Sequence, residues 1–312
     1  MRNKLYLIGY PLGHSLSPQI HNSQFLRQKL PLTYAEREIP PGTFSESFRA
    51  VLAEDDFLGA NVTLPYKQTA ALFMDKLEGD AAALETINTI TRNADGKLVG
   101  HNTDVQGFAD ALNAVVKTPV KRALIFGSGG AALAVLYALA RAGCERLVVI
   151  HRSDRNLELV HRVAGLMNKR VRTVKLAHLA DFFNWAEKEQ VFLDQSRLDA
   201  HCADELMEEQ GVNTNHVFNE VEFDKGPRHF DLLVNATPVG SFPNAEESLG
   251  DHPRFMRLFK TVFDLACDPM ETKLLFLAKL QGCEVIHGRK MLERQAELSR
   301  RIWVREYKAQ PK

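Results

Sequence analysis

The chain has 312 residues, more than a single core usually fills and a natural length for two domains. Hydrophobic residues make up 45% and charged residues 25%, and 39 Lys plus Arg balance 39 Asp plus Glu, which gives no ground for a nucleic-acid or membrane partner. The first apolar run is broken by Gly9, Pro11 and Gly13, too early for a signal peptide or a spanning helix, so a cytoplasmic location is expected.

The first hundred residues alternate strand and helix patterns. KLYLIGY reads as a strand, and SPQIHNSQFLRQKL as a helix with Ile20, Phe25, Leu26 and Leu30 at helical spacing, Ser17 as its N-cap and Pro18 in its first turn. LTYAEREI is a second strand, PGTFSESFRAVLAEDD a helix and FLGANVTL a third strand. YKQTAALFMDKL and GDAAALE read as helices. TINTITRNADGKLVGHN reads as a hairpin turning at Asp95 and Gly96, and DVQGFADALNAVV as a helix.

A sharper signal follows. The strand Ala123 to Phe126 runs into Gly127, Ser128, Gly129, Gly130, Ala131 and Ala132, then into a helix rich in alanine and leucine that Gly143 ends, then into a second strand, Leu147 to Ile150. This is a βαβ unit with the G-x-G-x-x-A form of the dinucleotide fingerprint in its proper context. Gly127 permits the bend, Gly129 lets backbone approach a pyrophosphate, and Ala132 keeps helix close to strand. The N–H groups at Gly130 and Ala131 open a helix whose positive end faces the phosphates. Read without a ligand, the same run is only a glycine-rich turn.

Beyond the second strand, residues 154–230 are weakly patterned. RNLELVHRVAGLMN looks helical, RVRTVKL strand-like, HLADFFNWAEKEQ and ADELMEEQ helical, and NEVEFDKGPRHF a loop. DLLVNATPVG is then a buried strand ending in a loop, TVFDLA another strand, METKLLFLAKLQGC a helix and EVIHG the last strand. RKMLERQAELSRRIWVREY is an amphipathic C-terminal helix. Cys144, Cys202, Cys267 and Cys283 show no C-x-x-C spacing, so reduced thiols and no metal site are expected. The adjacent His201 and Cys202 read as packing or surface residues.

Several polar clusters lie outside the glycine turn: GHSLSPQIHN, NVTLPYK, ETINTI, GHNTDVQGF, NATPVG and GRKMLERQA. Each has a plain structural reading. Lys67 after Pro65 could be a solvated loop cation, Ser17 only a cap, Asn88 and Asn102 turn formers, and Gln295 one more polar residue on a helix. Taken together and in this order, the clusters resemble the shikimate dehydrogenase family, including its quinate/shikimate branch, over nearly the whole chain.

The resemblance implies an α/β fold: an N-terminal α/β substrate domain over residues 1–105, a Rossmann dinucleotide-binding domain over 106–287, and a C-terminal helix, 288–312, returning to the first, with the active site in the interdomain cleft. It implies reduction of 3-dehydroshikimate to shikimate by NADPH, in aromatic amino-acid biosynthesis. Lys67 and Asp104 match the family's catalytic pair. Ser15 and Ser17 resemble the hydroxyls that bind the substrate carboxylate, and Thr63, Asn88, Asp104 and Gln295 those that hold ring hydroxyls. Gly127, Gly129, Gly130, Ala131, His151, Arg152, Ser153, Arg155, Thr237 and Gly288 fall on the cofactor side. His14 and His21 could pass for an acid/base pair but read as structural neighbours of the ligands. A small-molecule substrate and a monomer or homodimer are expected.

HRSDRN follows the second strand. A strict NAD reader places an acid at the strand end, but His151 stands there, and two guanidiniums with a hydroxyl suit a 2′-phosphate. NADP is therefore the expected cofactor, with NAD as the alternative because Asp154 resembles the acid of the quinate/shikimate branch. Four departures from the family pattern stand out: Cys267 for a tyrosine, Ser241 for a methionine, Glu85-Thr86 for a small pair, and a longer stretch between Ile150 and Asp231. The rival readings are a quinate/shikimate dehydrogenase using NAD or both cofactors, a non-catalytic ligand-binding regulator of the same family, and a different Rossmann enzyme. The last would leave NVTLPYK and GHNTD unexplained.

Overall fold

The computed structural model describes residues 3–13, 15–179, 230–250 and 253–310. The helices and loop expected within 180–229, His14, and the pair His201 and Cys202 lie outside the described residues. The chain divides into two compact units. One holds Met1–Val115, Leu133–Ala138 and Gly288–Lys312, and the other Val116–Ala132 and Leu139–His287.

The first unit carries a mixed sheet of β1 (Lys4–Gly9), β2 (Thr33–Glu38), β3 (Phe57–Val62), β4 (Lys76–Leu77), β5 (Thr89–Arg92) and β6 (Leu98–His101), in the order β2-β1-β3-β5-β6-β4. β1 pairs in parallel with β2 and β3, while β5 runs antiparallel to both β3 and β6. Alternation along β1 sends Leu5 and Leu7 to one face with Phe25 and Trp303, and Tyr6 and Ile8 to the other with Phe48 and Phe57. β3 lies inside the sheet and is buried along its whole length, Asn61 included. The helix Gly288–Ala309 belongs to this unit. Its Trp303 is fully buried and donates its indole N–H to the Ile90 carbonyl at 2.9 Å. The helix Asp104–Val115 also lies wholly in this unit, past the boundary drawn at residue 105 from sequence.

The second unit is a parallel sheet of β7 (Arg122–Phe126), β8 (Arg146–His151), β9 (Val171–Lys175), β10 (Phe230–Asn235), β11 (Phe259–Asp264) and β12 (Glu284–His287), in the order β12-β11-β10-β7-β8-β9. Its strands read as apolar runs because helices accompany them, and the order reverses between β7 and β10, the place where such sheets take ligands.

Two local expectations need correcting. Ser17 does not cap the first helix, Ser17–Arg27: it is the first helical residue, and its own N–H donates to Ser15 Oγ at 3.2 Å. Leu26 of that helix is 80% exposed, while His21, which the apolar count passed over, is buried in its stripe. YKQTAALFMDKL does not form a helix but a 3₁₀ turn, Thr69–Phe73, followed by the short strand β4. Its residues are needed at the sheet edge beside β6, and tertiary pairing overrides helix propensity there.

Candidate active site

Lys67 is presented by a tight turn at the C-terminal end of β3. Tyr66 anchors it: the ring stacks on Phe44 with centroids 3.9 Å apart, and the hydroxyl donates to the Ile39 carbonyl at 2.5 Å. Tyr66 N–H closes the turn on the Thr63 carbonyl, and the Lys67 carbonyl accepts from Ile87 N–H at 2.9 Å. The backbone on both sides of Lys67 is thus tied to neighbouring segments, and its side chain is 14% exposed.

It reaches Asp104. Lys67 Nζ lies 2.6 Å from Asp104 Oδ2, with the two side chains 14% and 6% exposed. Asp104 opens its helix, where the free N–H groups favour a carboxylate. Asn102 does the capping: its Oδ1 accepts from Asp104 N–H at 3.1 Å, and its Nδ2 donates to the Thr86 carbonyl at 3.0 Å. Thr86, one of the departures from the family pattern, is therefore fully buried as part of this cap, and Glu85 before it takes a left-handed φ of 52° at a helix end.

Asn88 completes the group. Its Nδ2 donates to Asp104 Oδ1 at 2.8 Å and to Thr103 Oγ1 at 2.9 Å, and its Oδ1 accepts from Thr103 N–H at 2.8 Å. Gln295, on the helix Gly288–Ala309, brings its Oε1 to 3.3 Å from Asn88 Nδ2. That helix comes this close because residue 107 is glycine: a Cβ there would stand 2.9 Å from Gln295 Cβ. Behind them Ser299, Thr89, Thr103 and Asn61 form a buried hydroxyl and amide network, with Ser299 Oγ 2.7 Å from Thr89 Oγ1 and Asn61 Nδ2 3.1 Å from Ser299 Oγ. Sequence reasoning gave these four no role. For Asn61 and Thr89 the signal was a polar residue inside a strand that must be buried; Thr103 precedes the helix Asp104–Val115, and Ser299, on the C-terminal helix, had no such signal.

The loops after β1 and β3 are neighbours, since Tyr10 N–H donates to the Leu64 carbonyl and Thr63 N–H to the Ile8 carbonyl, both at 2.9 Å. This places the start of the loop that leads from β1 toward Ser15 and the helix opened by Ser17 beside the turn of Thr63. Neither serine nor Thr63 joins the hydrogen-bonded group around Asp104. His21 stands apart from acid/base chemistry. It is fully buried, stacked on Tyr34 with centroids 4.4 Å apart, and burial, helped by the Arg300 charge, lowers its pKa to about 3.

In the second unit, Gly127 takes φ +106°, and a Cβ on it would lie 3.1 Å from the Ala236 carbonyl oxygen, so only glycine suits the bend. At Gly129 no described atom lies within 4 Å of an added Cβ. That backbone faces open space at the start of the helix Gly130–Arg141, where Ala131 also lies. A phosphate fits such a place. Arg152, Ser153 and Arg155 are exposed at the end of β8, while His151 is buried there, 3.5 Å from Asp154. The chemistry of these groups suits a phosphorylated dinucleotide. Asn156, missed from sequence, ties this loop to the glycine turn through an Nδ2 bond to the Ser128 carbonyl at 2.9 Å. Gly288 opens the C-terminal helix and belongs to the first unit.

The loop of Thr237 is shaped by a second missed group. Thr237 Oγ1 donates to Asn235 Oδ1 at 2.7 Å, and Asn235 Nδ2 donates to Asp264 Oδ1 at 2.9 Å. Asp264 is fully buried at the end of β11 and also accepts from Thr272 Oγ1 at 2.6 Å and Ala266 N–H at 3.0 Å. Burial among neutral donors pushes its pKa up to about 6. The two other departures flank this group. Ser241 N–H donates to the Pro238 carbonyl, and Cys267, half-buried, directs its thiol to the Leu265 carbonyl at 3.5 Å. Among the described residues no group of three or more His, Cys, Asp or Glu could hold a metal ion, and no helix is long and apolar enough to cross a membrane.

Comparison with known proteins bears directly on this arrangement. A family model described as the shikimate dehydrogenase substrate binding domain matches residues 7–90. A shikimate dehydrogenase (NADP(+)) of Moorella thermoacetica is 33% identical over 299 residues, covering 95% of this chain and 86% of its own. One of Syntrophomonas wolfei is 31% identical over 296 residues, covering 95% and 87%. The crystal structure of Thermus thermophilus shikimate 5-dehydrogenase, solved with NADP(H) and shikimate, matches with a TM-score of 0.69 at 28% identity, covering 96% of this chain and 93% of that one. By its motifs, its two sheets and its full-length relatives, this chain belongs to the shikimate dehydrogenase family.

Proposed function

We propose that the protein interconverts 3-dehydroshikimate and shikimate with NADP(H), the first unit holding the substrate and the second the cofactor. The observation that carries this reading is the Lys67–Asp104 pair, 2.6 Å apart and almost withdrawn from water. When bound, the nicotinamide supplies a hydride to the carbonyl carbon. As the oxygen gains electron density, the Lys67 ammonium stabilises it and gives up a proton, leaving an alcohol and a neutral amine that recovers a proton from solvent. Asp104 holds the ammonium in place through Oδ2, while Asn88 fixes Oδ1. Substrate hydroxyls would exchange into the bonds now made among Asp104, Asn88 and Gln295, with Thr63 at the rim. Ser15 and Ser17 would take the carboxylate, for which hydroxyls and N–H groups are apt donors.

On the cofactor side, Gly127, Gly129, Gly130 and Ala131 would receive the pyrophosphate. Arg152, Ser153 and Arg155 would receive the 2′-phosphate beside His151, while Thr237 and Gly288 would lie toward the nicotinamide. The test is a panel of shikimate, quinate and close analogues against NADP+ and NAD+, followed by nicotinamide absorbance. Turnover of shikimate with NADP+ above the other pairs is expected. Preference for quinate with NAD+ would favour the quinate/shikimate reading, and no turnover with any pair would defeat the enzymatic one.

A further inference from the structure

The loop after β8 carries two arginines and one carboxylate, and the carboxylate is out of place in a phosphate site. An acid in this region can accept from a ribose 2′-hydroxyl and repels a 2′-phosphate. Its position in the sheet resolves the conflict. β8 lies between β7, which leads into the glycine turn, and β9. The loop is fixed on both sides. Asn156 bonds to Ser128 on the β7 side, whereas Asp154 turns to the β9 side, where its Oδ2 lies 3.4 Å from Lys175 Nζ and its Oδ1 3.5 Å from His151 Nδ1. Lys175 ends β9 directly opposite His151 in the strand register. The lysine therefore draws the one acid of the loop away from the glycine turn and offsets its charge, while Arg152 and Arg155 stay exposed at the strand end.

We propose that Lys175 is a specificity-determining residue: by holding Asp154 against β9 it sets the preference for a 2′-phosphorylated nucleotide over one with a free 2′-hydroxyl. The proposal rests on the reading of this loop as the nucleotide site. Lys175 acts through Asp154 and is a positioning residue. Both side chains are about half exposed, so the effect is that of a surface pair, a few-fold in affinity and weakened by salt.

The experiment measures dissociation constants of NADP+ and NAD+ by direct titration at low and at high ionic strength. It uses the parent, Lys175→Ala, Lys175→Arg, Asp154→Asn and the double variant Lys175→Ala with Asp154→Asn. Lys175→Ala is expected to lower the NADP+ to NAD+ preference about fivefold at low salt, less at high salt. Lys175→Arg should keep the preference, and the double variant should regain it because the released carboxylate is gone. A fold that merely loosens would weaken both nucleotides alike and overturn the proposal. So would a loss of NADP+ affinity that the double variant does not repair, since Lys175 would then touch the phosphate itself. A parent that binds NADP+ in preference to NAD+ but turns over no shikimate would defeat the proposed activity and leave this proposal to be decided by the same titrations. A parent that binds neither nucleotide would defeat both.

Discussion

The surroundings of Lys67 and the loop after β8 are built in opposite ways. Around Lys67 the polar atoms are already committed: both oxygens of Asp104, both ends of the Asn88 amide and Gln295 Oε1 are bonded within a buried group. After β8, Arg152, Ser153 and Arg155 lie exposed to water. The difference fits the roles proposed for each. A group that stabilises charge on a reacting oxygen helps only if it is oriented before the charge develops, because reorganisation during the step adds to the barrier. A guanidinium that grips a phosphate needs no such preparation, since the incoming dianion supplies strong charge-assisted bonds itself.

If the first region is preorganised around Lys67, the largest effect in the molecule should come from removing its ammonium. Lys67→Ala is expected to lower kcat about a hundredfold or more, with a smaller change in the shikimate KM, because the oxygen carries more charge in the transition state than in the ground state. Steady-state kinetics at saturating cofactor checks this, and near-normal turnover would remove Lys67 from the chemistry. Asp104→Asn should follow, with kcat down roughly tenfold to a hundredfold and the shikimate KM raised as well, if Asp104 serves the substrate, as proposed, in addition to holding the lysine. A change confined to nucleotide affinity would break the pairing of Asp104 with the substrate side.

The second region should behave differently. If Arg152 grips the 2′-phosphate as proposed, Arg152→Ala removes a contact that NADP+ alone can make, so the NADP+ KM is expected to rise roughly tenfold to a hundredfold while NAD+ changes little. Equal losses for both nucleotides would mean that the guanidinium stacks on the adenine, as a planar cation can. Comparing the two constants for parent and variant decides between these roles.

The same contrast explains what could be read from the chain. The βαβ unit was legible because strand, glycine turn and helix are contiguous, and the polar motifs because each is a short run at a strand end. What could not be read were partners supplied from far along the chain. Ser299 reaches Thr89 across 210 residues, and Thr272 and Asn235 meet on Asp264 from two different elements. Nothing in VFDLA marks its aspartate as a hub, because local pattern reports burial and period but not which buried polar atoms will face each other. Ser17 was misjudged for a related reason: a serine before a proline suits a cap, yet Ser15 two residues earlier takes the bond. The 3₁₀ turn and strand after Lys67 escaped because apolar residues at helical spacing also suit a short edge strand packed on β6.

The smallest expected effect on turnover belongs to Asp264, and its readout is stability. Asp264 lies between the two kinds of region. It is as deeply buried as the group around Lys67, but its hydrogen-bond partners are neutral donors, Thr272, Asn235 and Ala266, with no lysine among them. Its folded pKa of about 6 stands above the ordinary 3.8 because burial disfavours the charged form. For a group so raised, the folded state binds the extra proton between the two values. The stability it contributes is fully present below about pH 4 and is lost as pH rises through about 6. The gap corresponds to roughly 3 kcal/mol. Asp264→Asn cannot titrate and lacks this loss, so its unfolding free energy relative to the parent should climb by up to that amount from pH 4 to pH 7 and then level. The loss of one acceptor for Thr272 shifts the whole curve downward by about 1 kcal/mol without changing its shape. Urea unfolding of both proteins across this pH range measures the difference. Parallel curves would show that Asp264 keeps its charge at no cost, which would make the neutral donors around it as effective a cradle as a lysine.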